Sequence, residues 1–228
     1  MRPITKILIM LSMLLLVGCS NELDLGAPAK PQQFVIEAPA LRANALYALR
    51  NYQAVGAFSA RVKGTQRIIN FNWYYRGIKA YTLKLSTAGD FYQAVLKNYY
   101  GNITYWKDPT HFTRVKSLPD FMMAEMGWYI PLNNFFYWMR GVPLPASHPT
   151  AKYDGFGHLI ELKQAGWTIH YSRYINYGDI DLPTMMNVMS PHGDAIRVAV
   201  KQWLLYGTIN DRSKDAISKQ NKQLLDGL

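Results

Sequence analysis

Short stretches in which apolar and polar side chains alternate are the feature that most narrows the fold of this chain. Every second side chain is apolar in residues 69–75, 81–85, 167–171 and 196–200, and the side chains between them are mostly polar. A period of two is typical of a β-strand with one buried and one wet face. Turn residues such as Ala165-Gly166 separate the stretches. The pattern therefore predicts a mainly β fold with some helix, in which an antiparallel sheet is closed or strongly curved.

Three helices are expected within this pattern. The composition of residues 43–49 favours helix, and residues 119–127 start with Pro and end with Gly. Residues 134–140 follow Asn133, a plausible N-cap, and stop at Gly141. The second and third helices are apolar over most of their circumference, and such helices must be buried. We expect both to lie inside the concave face of the sheet.

The N-terminus has the layout of a secretion signal. Arg2 and Lys6 precede an apolar run over residues 7–17, and Gly18 follows it. A basic start, about 7–15 apolar residues and a small residue before the cut describe a signal peptide. The run is too short for a transmembrane helix, which needs about 20 apolar residues.

Residues 16–19, Leu-Val-Gly-Cys, resemble the lipobox of signal peptidase II substrates. The resemblance implies a diacylglycerol thioether on Cys19, then cleavage and acylation of the new amine, which would anchor the chain in a membrane. The alternative is an ordinary secretory signal beside an incidental cysteine, although Cys19 is the only cysteine in the chain. Because Ser20 and not Asp follows Cys19, we expect an outer-membrane location facing the periplasm.

Four segments are predicted along the chain. Residues 1–18 are the lipoprotein signal peptide, and residues 19–33, with two prolines and a glycine, are a lipid-anchored flexible tether. Residues 34–206 form one domain, and residues 207–228 form a polar extension.

Composition indicates an apolar interior and a basic surface. The 16 Tyr, 9 Phe, 6 Trp and 10 Met of this chain suit a wide core or an apolar cavity. The net charge of +10 suits acidic partners or anionic lipid, and secretion argues against nucleic acid. Six cations form either a docking surface for an acidic carrier or a solvated face: Arg61, Lys63, Arg67, Arg76, Lys79 and Lys84.

No motif for hydrolytic or metal chemistry is present in the sequence. There is neither a Gly-x-Ser-x-Gly elbow nor a His-Glu-x-x-His pair. We interpret the five histidines as exposed polar residues in loops and on wet strand positions: His111, His148, His158, His170 and His192. The expectation is a monomer without catalytic residues, bound metal or cofactor.

An ordered series of motifs over residues 45–205 resembles the LolB family. The motifs are Asn-Tyr-Gln-Ala-Val-Gly-Ala-Phe at 51–58, Phe-Asn-Trp at 71–73, Gly-Trp-Tyr-Ile-Pro-Leu-Asn at 127–133, Leu-Pro at 182–183 and Lys-Gln-Trp at 201–203. The resemblance implies an incomplete antiparallel β-barrel whose short helices close a hydrophobic cavity. It also implies an acceptor that takes lipoprotein acyl chains from a LolA-like periplasmic carrier and inserts them into outer-membrane lipid.

Within that resemblance, eleven residues are assigned to the acyl-chain cavity: Phe58, Ile69, Phe71, Trp73, Leu83, Leu85, Trp128, Ile130, Phe135, Trp138 and Met139. For any single one, a packed core position and a cavity lining remain equally open. The alternative for the whole chain is a structural or envelope-interaction lipoprotein with a dry apolar core.

The chain departs from the LolB pattern in one loop. The family exposes an apolar residue, usually Leu, after the strand that is here 81–85, whereas residues 86–91 read Ser-Thr-Ala-Gly-Asp-Phe. We assign Ala88, Gly89 and Phe91 to a membrane-insertion loop. In the alternative, Phe91 begins the next strand and faces the cavity.

Overall fold

The computed structural model describes residues 33–62, 65–87, 93–127, 129–145 and 147–206. The described residues form three helices: α1 (Pro39–Ala48), α2 (Leu118–Met126) and α3 (Leu132–Trp138). They also form eleven strands: β1 (Tyr52–Val62), β2 (Thr65–Tyr75), β3 (Ala80–Ser86), β4 (Gln93–Tyr99), β5 (Asn102–Trp106), β6 (Phe112–Arg114), β7 (Thr150–Tyr153), β8 (Leu159–Gln164), β9 (Trp167–Asn176), β10 (Asp181–Met189) and β11 (Ala195–Leu205).

All eleven strands belong to one antiparallel sheet. Its order is β6-β5-β4-β3-β2-β1-β11-β10-β9-β8-β7, so the sheet consists of two meanders joined where β1 pairs with β11. Within the described residues, β6 and β7 remain as two edges, and the barrel is therefore incomplete. The predicted mainly β class with an incomplete, curved antiparallel barrel is confirmed.

The alternation of the sequence follows the two faces of this sheet. On β2, Phe71 and Trp73 are at most 2% exposed, while Asn72 between them is partly exposed. The same parity buries Leu83 on β3 and Val198 on β11. One face of the sheet is thus a continuous apolar surface, as the period of two predicts.

Helix α3 lies against that apolar face, as the sequence predicts. Phe135, Phe136 and Trp138 are fully buried, and the Phe136 ring lies 4.7 Å from the ring of Trp73 on β2. The predicted N-cap is wrong, because the helix starts at Leu132 and Pro131 occupies the cap position without a side-chain hydrogen bond.

Helix α2 is less buried than its composition suggests. Ser117 caps its start by accepting a hydrogen bond from the Asp120 N–H, and Gly127 ends it in the left-handed conformation (φ 74°). Leu118 and Met122 are buried, but Met123 is 52% exposed. The expectation that α2 is buried as completely as α3 is therefore wrong, since only one side of α2 is covered.

A β-bulge between Val55 and Gly56 shifts the register of β1 on β11. A Cβ atom at Gly56 would overlap the Ala199 carbonyl oxygen and lie 2.7 Å from the Phe71 ring. Only glycine therefore fits between β11 and the aromatic side chains of β2.

We predict that Gly56→Ala destabilises the protein by about 1–3 kcal/mol, because the added methyl group overpacks a site with backbone on one side. Urea unfolding measures the loss. Gly155→Ala is the matched control, since a Cβ there meets nothing within 4 Å. Equal unfolding midpoints for the two variants would contradict this packing argument.

Candidate functional site: the concave apolar face

The structure places ten of the eleven predicted cavity residues in one buried hydrophobic cluster. They are Phe58, Ile69, Phe71, Trp73, Leu83, Leu85, Ile130, Phe135, Trp138 and Met139, each at most 5% exposed. Trp128 lies outside the described residues, as do Ala88, Gly89 and Phe91 of the predicted insertion loop. The structure therefore brings the predicted set together, and the role of these residues as acyl-chain lining stays a prediction.

Aromatic rings fill the space between α3 and the sheet. The Phe58 ring lies 4.5 Å from that of Phe71 and 5.9 Å from that of Phe135. On the other half of the sheet, the Trp138 ring lies 5.9 Å from that of Trp167 at the start of β9. Offset and edge-to-face pairs at such spacings add about 0.5–1.5 kcal/mol each beyond area burial. In this state the protein's own side chains occupy the concave face.

Phe136 is the central residue that the predicted site set omits. Its ring contacts those of Trp73, Tyr75 and Tyr81 at 4.7–4.9 Å, and the residue is fully buried. The available signal was the apolar character of α3 on every side, which gives Phe136 the same status as Phe135.

Hydrogen bonds fix the C-terminal end of α3 to the second half of the sheet. Trp138 Nε1 donates to Gln164 Oε1 at 3.0 Å, and the Tyr171 hydroxyl donates to the Trp138 carbonyl at 2.9 Å. Gln164 Oε1 also accepts from the Leu144 N–H at 2.8 Å. These bonds satisfy buried polar groups and orient the Trp138 ring in the core.

Arg140 connects the end of α3 to the end of α1. It is 2% exposed, and its Nη1 donates to the carbonyls of Leu46 and Leu49 at 3.0 and 2.8 Å. Its guanidinium also lies 5.6 Å from the Tyr75 ring centroid. A cation at a helix C-terminus satisfies free carbonyls and opposes the helix dipole, so Arg140 holds α1 over the concave face.

A second polar cluster holds the N-terminal segment against β10. Arg42 Nη1 donates to Asp181 Oδ2 at 2.9 Å, and Arg42 Nη2 donates to the carbonyls of Val35 and Phe156. His158 Nε2 lies 2.9 Å from the same Asp181 oxygen, and His158 Nδ1 lies 3.0 Å from Asp154. Arg42, Asp181 and His158 are at most 4% exposed.

The prediction that all five histidines are exposed is therefore wrong for His158. It is 1% exposed and stacks on the Tyr174 ring at 4.3 Å. Each of its ring nitrogens faces a carboxylate, so the cluster is a paired structural network. His170, in contrast, is opposite Glu161 on the β8–β9 hairpin and not opposite His158, as simple register predicts.

The pKa of the Asp181 carboxyl group is set by this network. Burial alone would raise its pKa, but hydrogen bonds from His158 and Asn176 and the charge of Arg42 outweigh burial. They hold the pKa of Asp181 below its ordinary value, and that of Asp154 is lowered in a similar way by His158. Both carboxylates therefore remain ionised at neutral pH.

No group of three or more His, Cys, Asp or Glu side chains among the described residues could hold a metal ion. No helix in the described ranges is long and apolar enough to cross a membrane.

The outer face of the sheet carries a groove of about 400 Å³ above part of the concave cluster. Polar side chains of β2, β3 and β4, among them Lys84, border this groove. Gly56, Phe71, Leu85 and Ala94 also line it.

We predict that Asp181→Asn costs about 3–5 kcal/mol at neutral pH, because it leaves Arg42 buried without its carboxylate. The folded pKa of Asp181 is depressed, so its contribution is complete above about pH 4 and is lost as pH falls through the folded pKa. Urea unfolding across pH should show the gap between variant and wild type shrinking in acid. Asp179→Asn, at an exposed neighbouring position, is the control. A gap that is constant with pH would contradict the assignment.

Known proteins match this chain over the region that forms the sheet and α3. The sequence profile of the family "Outer membrane lipoprotein LolB" matches residues 50–203. A protein named outer-membrane lipoprotein LolB from Coxiella burnetii is 32% identical over 148 residues, which are 65% of this chain and 69% of that protein. One of the same name from Chromobacterium violaceum is 27% identical over 201 residues, 88% of this chain and 99% of that protein.

Among solved structures, a LolA superfamily protein from Nitrosomonas europaea is similar with a TM-score of 0.48 at 9% identity. The match covers 78% of this chain and 96% of that chain. Membership rests on the sequence matches alone. Because the family profile spans well over half of the 228 residues, including the strands and the helix that build the concave face, the chain belongs to the LolB family of outer-membrane lipoproteins.

Proposed function

We propose that this protein is an outer-membrane lipoprotein receptor that holds the acyl chains of incoming lipoproteins against its concave apolar face. Membership in the LolB family supports the receptor role. The observation that carries the acyl-chain site is the buried hydrophobic cluster that the three helices form with β1–β5 and β8–β11.

Acyl transfer through water needs such a surface. Each methylene left in water costs about 0.8 kcal/mol, so the chains must pass directly between apolar sites. Since aromatic side chains of the protein fill the concave face, an entering chain replaces their contacts with its own. We infer that α3 and its neighbouring side chains shift when cargo binds, because a fully packed core has no room for an added chain.

The carrier is proposed to dock on the first half of the sheet. Residues 38–107 contain ten Lys or Arg and a single acid, Asp90. Seven of these cations are exposed and make no ion pair with any described carboxylate: Arg50, Arg61, Arg67, Arg76, Lys79, Lys84 and Lys97. A basic surface of this kind attracts an acidic partner and orients its approach. A LolA-like periplasmic carrier with an acidic rim fits this requirement.

Anchoring and insertion are proposed for two segments outside the described residues. Acylated Cys19 would hold the domain at the outer membrane through residues 19–33, and intact-mass analysis of the membrane-extracted chain tests this. A chain that matures normally without acylation at Cys19 would rule the anchor out. Insertion is proposed for Ala88, Gly89 and Phe91, between β3 and β4.

The acyl-chain site is tested by substitution on the concave face. We expect Phe71→Asp and Trp138→Asp to abolish binding of a fluorescent fatty-acyl probe, since each places a charge in the apolar site. Phe71→Leu and Trp138→Phe are matched controls that keep the surface apolar and retain most of the affinity. Circular dichroism is the control that checks whether each variant is folded.

Two results would favour a structural lipoprotein with a dry core over a receptor. One is the failure of the wild-type protein to bind any acyl probe. The other is that other lipoproteins still reach the outer membrane in normal amounts after this protein is depleted. A photoreactive fatty acid that labels α3 and inner-face residues would support the receptor directly, without relying on substitutions in the core.

The insertion step is tested by Phe91→Glu. Burial of a Phe side chain in lipid contributes about 1.5–3 kcal/mol of free energy to membrane binding. A Glu carboxylate at this position would not gain that free energy. We expect the variant to accept lipoprotein from the carrier at the wild-type rate and to deliver it to vesicles poorly. Phe91→Leu, which restores the usual residue of the family, should deliver normally. Loss of acceptance in Phe91→Glu would instead support the alternative in which Phe91 faces the cavity.

A further inference from the structure

Two hydrogen-bond donors deep in the concave cluster have no acceptor among the described residues. They are Nε1 of Trp73 on β2 and the hydroxyl of Tyr81 on β3. The two residues are 1% and 4% exposed. A buried donor without a partner is uncommon in a native protein and is costly, so each such group calls for an explanation.

The remainder of the core is well satisfied by comparison. Trp138 Nε1 and Trp203 Nε1 donate to Gln164 and to the Pro183 carbonyl at 3.0 and 2.9 Å. The Tyr171 hydroxyl also donates, to the Trp138 carbonyl. Arg42 Nε is a third buried donor without a partner, but the other two nitrogens of its guanidinium make three hydrogen bonds. Trp73 Nε1 and the Tyr81 hydroxyl are thus the buried donors of the apolar site for which the described residues provide no acceptor.

The two donors lie together beneath α3. The rings of Trp73 and Tyr81 are 6.3 Å apart, and both contact the ring of Phe136, at 4.7 and 4.9 Å. Phe136 therefore packs against both of the aromatic rings that carry the donors.

Asn98, which faces Tyr81 from β4, is already engaged. Its Nδ2 donates to the Ile78 carbonyl at 3.2 Å, and its Oδ1 accepts from the Gly101 N–H at 2.9 Å. Burial raises the pKa of Tyr81 to about 12, against a smaller lowering by a hydrogen bond that the Asn98 side chain donates to the phenol oxygen. That contact leaves the Tyr81 proton without an acceptor. At neutral pH the Tyr81 hydroxyl therefore keeps its proton and can donate it to a hydrogen bond.

We propose that Trp73 Nε1 and the Tyr81 hydroxyl bind the ester and amide carbonyl oxygens of acyl cargo. This inference rests on the proposed acyl-chain site and adds the polar contact within it. An indole N–H can only donate, so its partner must be an acceptor. In a cluster that is otherwise apolar, a neutral carbonyl on a hydrocarbon chain meets this need at a small desolvation cost.

A free carboxylate fits the site less well than an ester. Arg140 is the cation nearest the Phe136 end of the cluster, 5.6 Å from the Tyr75 ring. Its guanidinium already donates to the carbonyls of Phe136, Leu46 and Leu49. An anion entering beneath α3 would therefore lack a counter-charge, and the chemistry favours glycerol esters and N-acyl amides over fatty acids.

The test compares an ester with an ether of the same shape. The mature chain carrying Cys19→Ser is used, so that no acyl group of its own competes. Displacement of a fluorescent acyl probe is measured with dioctanoylglycerol and with the matching dioctyl ether, which lacks both carbonyl groups. Wild-type protein should bind the ester about fivefold to tenfold more tightly per carbonyl contacted, as expected for one hydrogen bond.

Two isosteric changes remove the donors one at a time. Tyr81→Phe deletes the hydroxyl, and benzothienylalanine at position 73 replaces the indole N–H by sulfur at nearly constant shape. Each should lower affinity for the ester about fivefold or more and leave affinity for the ether unchanged. In the free protein, Tyr81→Phe should lower the unfolding midpoint less than the control Tyr171→Phe, which loses the hydrogen bond to the Trp138 carbonyl.

The outcomes separate the inference from the proposed function. Ester and ether binding equally to the wild type, or a Tyr81→Phe loss of stability equal to that of Tyr171→Phe, would overturn the carbonyl contact while leaving the acyl-chain site intact. Failure of both lipids and the acyl probe to bind would overturn the acyl-chain site and the carbonyl contact together.

Discussion

Burial of α3 against the concave face is the interaction on which the rest of the structure depends. The sheet presents one broad apolar face, and its edges β6 and β7 do not pair with each other in the described chain. Without α3, that face would be open to water at about 25 cal/mol for each Å² exposed. A helix of seven residues is not stable alone in water, so α3 in turn exists only because the sheet covers it.

The two ends of α3 are held in different ways. Its C-terminal end is fixed by polar contacts that reach the second half of the sheet and α1, through Trp138, Arg140 and the Tyr171 hydroxyl. Its N-terminal end has Pro131 at the cap position and no side-chain cap. Side-chain hydrogen bonds therefore orient the C-terminal end, whereas packing and local backbone hydrogen bonds to the Pro131 carbonyl position the N-terminal end. A core whose helix is fixed chiefly at one end combines a unique fold with room for local adjustment.

The sequence predicted those parts of the structure that depend on near neighbours. Phe71 and Trp73 predict their strand because alternate side chains share one face of a sheet. Gly127 predicts the end of α2 because a helix stop depends on the residue at that position. The burial of His158 was missed because its partners Asp181 and Arg42 are far away in sequence. Exposure of Met123 was missed because apolar composition does not tell which side of a helix is covered. Core packing and cavity lining demand the same residue types, so the sequence could not separate them.

A receptor without an energy source must hold its cargo firmly and still release it, and a self-filled site makes both possible. A saturated chain of about 14 methylenes, at about 0.8 kcal/mol each, gains roughly 11 kcal/mol on leaving water. Entering this site also requires the contacts of Phe135 and Phe136 with the sheet to be given up. The net affinity is therefore a difference between two packed states, and it is much smaller than the burial of the chain alone would suggest. A small difference is easily shifted by a few polar contacts. Trp73 Nε1 and the Tyr81 hydroxyl lack an acceptor while the site is filled by the protein's own side chains. Pairing them with acyl carbonyl groups would shift the net affinity toward esterified cargo and away from hydrocarbon in general.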